Sequence, residues 1–156
     1  MVCHTAHDIQ QLDDSVIGTS ADGVCLRCHE ANDPDAVQAE YIRGTLDSLT
    51  AALNDARIAL SETEHRGLEV EELLLDLQTA NAALVQSRTK IHTFDAGLVR
   101  QEATPGFELT SKVIQEVDRL RRDFRMRKIG LGLATIFISF LALILYLYIR
   151  TLDKSQ

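Results

Sequence analysis

The sequence predicts a mainly α-helical protein, in which an irregular N-terminal segment precedes long antiparallel helices and one C-terminal transmembrane helix. Three observations lead to this fold class. Residues 35–128 are dominated by Leu, Ala, Glu, Gln and Arg, a composition that favours helices. Apolar residues recur there at three- and four-residue steps, which predicts a three-helix bundle or a coiled coil. Residues 129–149 contain no charged side chain.

The N-terminal segment, residues 1–33, contains all three cysteines together with turn-forming residues such as Gly18 and Gly23. It has too little apolar surface to offset the entropy of folding by itself, so we expect another group to organise it. Three cysteines are too few for a disulfide framework. The formal net charge of −7, with no basic face outside the membrane flank, argues against nucleic acid as a partner.

The first helix is predicted to begin at Pro34, with Asp33 as its N-cap. It should end near Arg66, because Gly67 follows. Its apolar seam has heptad spacing, which favours pairing with other helices. The seam consists of Ile42, Leu46, Leu49, Leu53, Ala56 and Leu60.

The second helix is predicted from about Val70 to Thr93, with a break at residues 94–97. A third helix should begin near Leu98, be disturbed at Pro105 and then resume. The apolar side of the second helix carries Leu73, Leu77, Ala80, Leu84 and Ile91. Residues 34–128 would therefore form an antiparallel helical hairpin plus a third helix, and their exposed heptad positions predict a homodimer.

Residues 129–149 are predicted to form a transmembrane helix. The 21 residues of this segment would span about 31 Å as a helix, against about 30 Å for a hydrocarbon core. Tyr146 and Tyr148 stand near one end of the segment, where interfacial aromatic residues are typical. With a short tail at residues 150–156, this pattern predicts a single-pass protein of the cytoplasmic membrane, in contact with membrane lipid.

A haem-attachment motif stands at the end of the N-terminal segment, as Cys25-Leu26-Arg27-Cys28-His29. In a Cys-x-x-Cys-His arrangement, two thiols form thioether bonds to the haem vinyl groups and the histidine ligates the iron. The motif predicts haem c held covalently by Cys25 and Cys28, with His29 as an axial ligand.

A second haem is predicted at the very start of the chain. Met1-Val2-Cys3-His4 would be the last four residues of another Cys-x-x-Cys-His motif if one more cysteine preceded Met1. Cys3 would then be an attachment site and His4 an axial ligand. We hypothesise that the chain is truncated at its N-terminus, which would also explain why no export signal opens it although c-type haem is attached after export. The alternative is that Cys3 and His4 are incidental.

Each six-coordinate haem also needs a distal ligand, for which His7, His92 and His65 are candidates. His7 lies three residues after His4, within the haem-binding segment. If Gly67 marks a hairpin turn, the second helix returns His92 to the end of the hairpin that carries this segment. His65 would lie at the far end, some 30 Å or more away, and is the less favoured ligand. The alternative for these residues is an ordinary surface or core histidine.

The chain resembles the C-terminal part of membrane-anchored multihaem c-type cytochromes, similar to the ammonia-forming nitrite reductase and octahaem families. The resemblance covers about residues 22–150. It rests on Cys-Leu-Arg-Cys-His-Glu, followed by long helices containing Ala-Arg-Ile-Ala-Leu, Gly67-Leu-Glu-Val-Glu-Glu and Ser87-Arg-Thr-Lys-Ile-His92-Thr-Phe-Asp95. It implies a periplasmic haem domain, a dimerising helical bundle, closely packed haems and a distal ligand at His92.

The resemblance also bears on enzymatic activity. In the nitrite reductase family the catalytic haem has a lysine in place of the motif histidine, and this chain has no such motif. A catalytic haem would have to lie upstream. The sequence therefore favours an electron carrier with bis-histidine haems in a respiratory chain, whose partners would be other cytochromes or quinol-oxidising membrane proteins.

A basic flank before residue 129 conflicts with this topology. Its cations are Arg119, Arg121, Arg122, Arg125, Arg127 and Lys128, whereas only Arg150 and Lys154 follow the span. The positive-inside rule would place residues 1–128 in the cytoplasm, whereas haem attachment requires the periplasmic side. We give more weight to the haem chemistry, because the rule weakens for long segments. The flank also fits a contact with anionic lipid headgroups.

The strongest rival interpretation follows from the same conflict. A cytosolic chain with heptads, a C-terminal span and a short tail would be a tail-anchored coiled-coil interaction protein. Cys25 and Cys28, with donors among Cys3, His4 and His7, would then form a zinc site. A cytochrome is coloured and keeps its haem under denaturing conditions, whereas a zinc protein is colourless and loses its metal to a chelator.

Overall fold

The computed structural model of the chain describes residues 14–20, 23, 25, 30 and 33–153. These residues are mainly helical and include no β-strand. The three helices are α1 (Pro34–Glu64), α2 (Glu71–Thr89) and α3 (Ala96–Asp153). Two 3-10 turns, Asp14–Val16 and Ile91–Thr93, precede α1 and α3 respectively.

Helix α1 has the bounds that its sequence predicts, to within two residues. Pro34 occupies the first turn, where its missing N–H costs no helical hydrogen bond. The Asp33 carboxylate makes no side-chain cap to α1 and instead accepts a hydrogen bond from the Glu30 amide at 3.0 Å. Asp33 is nevertheless the N-cap residue that the sequence predicts, because its extended backbone precedes α1 and its carbonyl accepts from the Val37 amide at 3.0 Å. At the other end Gly67 has a φ of 77°, a left-handed conformation that glycine adopts without strain.

The predicted apolar seams of α1 and α2 form the core between these two helices. All six residues of the α1 seam are at most 3% exposed, and Leu73, Leu77, Ala80 and Leu84 of α2 are buried. Each leucine removed from water in this way contributes about 1.5–3 kcal/mol. The buried hydroxyls of Thr63 and Ser87 donate to carbonyls one turn earlier, at 2.8 Å in both cases.

Helix α2 ends at Thr89, four residues before the predicted end. The residues that follow include two β-branched side chains, Ile91 and Thr93, which fit a helix poorly. Thr93 Oγ1 donates to the Lys90 carbonyl at 2.7 Å, and Phe94 adopts a left-handed φ of 52°. Ile91, predicted on the apolar side of α2, is therefore half-buried in the 3-10 turn and is not part of the core.

Helix α3 begins at Ala96, two residues before the predicted start, because the Asp95 carboxylate accepts hydrogen bonds from the amides of Gly97 (2.8 Å) and Leu98 (3.1 Å). The predicted disturbance at Pro105 is wrong: the helix passes through this residue without interruption. Proline removes one hydrogen bond, and tertiary packing of the neighbouring turn offsets that loss.

The first part of α3 packs on both other helices. A Cβ atom built on Gly106 would lie 3.0 Å from both Cδ atoms of Leu49 in α1 and 3.3 Å from the Ala80 carbonyl oxygen in α2. The absence of a side chain at residue 106 therefore allows this close approach. Lys112 Nζ also lies 2.8 Å from Asp76 Oδ2, which links α3 to α2.

The described chain divides into two compact units after Val117. The second unit is the remainder of α3, and its large apolar side chains from Ile129 to Ile149 are 48–71% exposed. Among the described helices, α3 is the one that is long and apolar enough to cross a membrane. Its apolar stretch has a mean hydropathy of 2.4, and none of that stretch is buried.

Candidate functional site

The described part of the N-terminal segment packs against the first turns of α1. The Thr19 amide and hydroxyl both donate to Glu40 Oε2, at 3.2 and 3.1 Å, and the Arg43 guanidinium donates to the Ile17 carbonyl at 3.5 Å. Gly18 has a φ of 95°, and a Cβ atom at this position would lie 2.7 Å from Glu40 Oε2. Only glycine combines that backbone conformation with this close approach.

The same segment is joined to α2 by an ion pair between Asp14 and Arg88. Arg88 Nε donates to Asp14 Oδ1 at 3.0 Å and its terminal nitrogen donates to Oδ2 at 2.7 Å, a two-pronged geometry that is strong for a guanidinium and a carboxylate. The Asp14 side chain is 13% exposed. The hydrogen bonds that Arg88 donates to Asp14, together with the negative charge of Asp14, raise the pKa of Arg88 against the opposing effect of burial.

Described residues on both sides of the Cys-x-x-Cys-His motif at 25–29 lie at the N-terminal end of α1. On one side, the Gly23 amide donates to the Ser20 carbonyl at 2.8 Å, and Gly23 packs against the Gly18 carbonyl. Cys25 follows two residues later, within about 7 Å of chain, and is half-buried. On the other side, Glu30 binds Asp33 directly before α1 begins.

His92 lies at the same end of the hairpin. It is exposed on the 3-10 turn after α2, one turn beyond Arg88. The Ala96 amide donates to Gln38 Oε1 at 3.3 Å, which holds the start of α3 beside the second turn of α1. His65 follows the other end of α1, so it is separated from Pro34 by 31 helical residues, about 46 Å.

The remaining predicted site residues are Cys3, His4, His7, Cys28 and His29, and they lie outside the described residues. Within residues 14–20, 23, 25, 30 and 33–153, no group of three His, Cys, Asp or Glu side chains is placed to hold a metal ion. The described donors nevertheless fit a c-type haem in kind: Cys25 offers a partly accessible thiol, and His92 offers an exposed imidazole at the same end of the hairpin.

Sequence reasoning did not identify the residues that fix the N-terminal segment to the helices. Asp14 and Arg88 are 74 positions apart, and no spacing rule links them. Glu40 and Arg43 look like ordinary exposed residues of α1 in the sequence. The glycines at 18 and 23 gave the one usable signal, because they mark a turn that brings the chain back on itself.

Comparison with known proteins identifies no relative. No protein-family model, curated protein or solved structure matches this chain. The functional proposal therefore depends on the motif and on the geometry of its surroundings.

Proposed function

We propose that this chain is part of a membrane-anchored multihaem c-type cytochrome that carries electrons in a respiratory chain. The observation on which this depends is the Cys-x-x-Cys-His motif at residues 25–29, whose two flanks are held at the hairpin end that also carries His92. A segment with so little apolar content gains order from a covalently attached group.

The residues that would hold the haem have distinct roles. Cys25 and Cys28 would form the two thioether bonds, and His29 would ligate the iron from one face. His92 is the distal ligand favoured by its position, with His7 as the alternative within the N-terminal segment. The bound haem supplies one-electron chemistry, in which the iron alternates between the ferrous and ferric states.

Two imidazole ligands favour electron transfer over catalysis, because they leave no open coordination position for a substrate. The chain's own contribution is to fix the axial ligands and to control exposure of the site to water, which together set the reduction potential. A second haem at Cys3 and His4 would add another redox centre of the same kind. His65, at the far end of α1, would not be an iron ligand.

The helices supply an anchor and a surface for assembly. Residues 129–149 would cross the cytoplasmic membrane, with the haem segment on the periplasmic side. Residues 34–128 would act as a three-helix bundle or coiled coil that dimerises. Exposed apolar side chains on α1 and α2 support dimerisation: Tyr41, Ile58, Leu75 and Val85 are all more than half exposed. An anchored carrier of this kind would exchange electrons with other cytochromes or with a quinol-oxidising membrane protein.

Production of the full chain behind an added export signal, together with a cytochrome c maturation system, tests the proposal. We expect a red protein whose haem stays on the polypeptide through denaturing electrophoresis, because thioether bonds survive denaturation. The Cys25→Ser/Cys28→Ser variant should lose the haem at this motif, whereas Cys3→Ser should retain it. A colourless wild-type chain, made beside a correctly matured control cytochrome, would refute the proposal.

The basic flank favours a second candidate function, a tail-anchored interaction protein with a Cys/His zinc site. Arg122, Arg125, Arg127 and Lys128 are exposed before the apolar segment, as the positive-inside rule expects for a cytoplasmic domain. In that case the purified chain would contain zinc that a chelator removes, and it would show no visible absorption. Metal analysis of the purified protein separates the two functions, because the cytochrome would contain iron and the interaction protein would contain zinc.

A further inference from the structure

We propose that the Asp14–Arg88 ion pair is a positioning device, which holds residues 14–20 of the N-terminal segment against the end of α2 so that His92 becomes the distal ligand. The inference rests on the proposed function and adds two residues to it. Neither residue belongs to the motif, and neither is a ligand. Both would act through the placement of other groups.

The first support is that residues 14–20 contact two different helices. Thr19 and Ile17 join it to α1, whereas Asp14 joins it to α2. Without the Asp14 contact, residues 14–20 would be held only on the α1 side of the hairpin. The ion pair supplies this second point of attachment.

The second support is the position of the pair between the two predicted ligand groups. Arg88 lies four residues before His92, about one helical turn away. Asp14 precedes Cys25 by eleven residues, and Gly23, two residues before Cys25, lies against the Gly18 carbonyl. The pair therefore links the element that carries the distal histidine to the segment that carries the thiols.

The third support is the quality of the pair. Three nitrogen–oxygen contacts between 2.7 and 3.3 Å connect the two side chains, and the Asp14 carboxylate is largely buried. A guanidinium held at two nitrogens fixes orientation as well as distance, which a single lysine contact does not. The terminal turn of α2 is also the favourable end of a helix for a cation.

The experiment uses the full chain matured with haem and compares Arg88→Gln, Asp14→Asn, the charge-swapped pair Asp14→Arg/Arg88→Asp, and His92→Ala. Lys112→Gln is the matched control, since it removes an ion pair of similar length, 2.8 Å, that does not involve the N-terminal segment. The readout is the fraction of reduced haem that binds carbon monoxide, because loss of the distal ligand opens a coordination position.

We expect nearly all of the His92→Ala haem to bind carbon monoxide, and only a small fraction of the wild-type haem to do so. Arg88→Gln and Asp14→Asn should raise the binding fraction about three- to fivefold, the change that loss of one partly exposed ion pair makes to a docking equilibrium. The charge-swapped pair should recover most of the exclusion, and Lys112→Gln should behave as wild type.

A second readout does not depend on haem. In the full chain made without the maturation system and carrying Cys3→Ser and Cys28→Ser, the Arg88→Gln change should speed maleimide labelling of Cys25 by about three- to fivefold. Unchanged labelling, unchanged carbon monoxide binding in Arg88→Gln, or the absence of binding in His92→Ala would each overturn the positioning role. A wild-type chain without covalent haem would instead refute the proposed function. That outcome is recognised from the wild type alone, before any variant is compared.

Discussion

Replacement of Gly106 by alanine tests whether the first part of α3 packs against α1 and α2 as closely as the structure indicates. The new Cβ would lie 3.0 Å from both Cδ atoms of Leu49 and 3.3 Å from the Ala80 carbonyl oxygen. Ordinary carbon contacts are about 3.5–4.0 Å. Leu49 is fully buried and the carbonyl belongs to the backbone of α2, so neither neighbour moves aside freely.

The expected magnitude follows from two opposing effects. Overpacking of this kind costs about 1–3 kcal/mol, while the change from glycine to alanine inside a helix gains about 1 kcal/mol. The Gly106→Ala change should therefore lower the free energy of unfolding by about 0–2 kcal/mol. Gly44→Ala is the matched control, because Gly44 is inside α1 with no atom within 4 Å of its Cβ position, and it should gain about 1 kcal/mol.

Leu49→Ala sharpens the test. By itself it should destabilise the protein by about 2–5 kcal/mol through lost burial and a cavity. In that background the Cδ atoms are gone, so the Gly106→Ala methyl enters free space and should be neutral or stabilising. Denaturant unfolding of the full chain in detergent, followed by circular dichroism, measures all four species. A coupling energy of about 1–2 kcal/mol is expected, and strict additivity would refute the packing of Gly106 on Leu49.

Two further predictions concern charged groups outside the apolar segment. The hydrogen bond and the charge of Asp76, with smaller effects from Glu72 and Glu116, raise the pKa of Lys112 above its ordinary 10.5. The Lys112–Asp76 ion pair should therefore contribute its full stability at neutral pH and lose it as the pH rises above about 10.5. In thermal unfolding, the stability difference between wild type and Lys112→Gln should vanish at high pH. The second prediction concerns the basic flank, in which Arg122, Arg125, Arg127 and Lys128 are replaced by glutamine. The binding free energy for vesicles containing anionic lipid should weaken by about 1 kcal/mol for each residue near the surface. A wild-type chain that distributes equally between anionic and neutral vesicles would contradict a contact with lipid headgroups.

The helices were predictable from the sequence because their apolar residues have heptad spacing. Burial of Ile42 and Leu46 on one side of α1 requires only that spacing, and Gly67 supplies the turn that follows. The apolar segment at 129–149 was equally clear, since nothing in it carries a charge. In these cases the spacing of the apolar residues along the sequence is enough to identify the helix.

The details that failed depend on tertiary contacts. Pro105 was expected to disturb α3, yet packing of the adjacent Gly106 on Leu49 and Ala80 keeps the helix continuous. The Asp14–Arg88 pair was invisible because it joins positions 74 residues apart. For the candidate site, the sequence predicted that His92 would return to the motif end, and the Ala96–Gln38 contact lies at that end of α1. Ligation of iron by His92, His29 or any other residue stays a prediction.

The most direct test of the central claim is intact and peptide mass spectrometry of the full chain matured with haem. Attachment at the proposed site predicts a peptide containing both Cys25 and Cys28 whose mass is increased by one haem. In a variant with a cysteine added directly before Met1, it also predicts a haem on the peptide that contains Cys3. Unmodified peptides at both positions, from a preparation in which a control cytochrome is fully loaded, would contradict it.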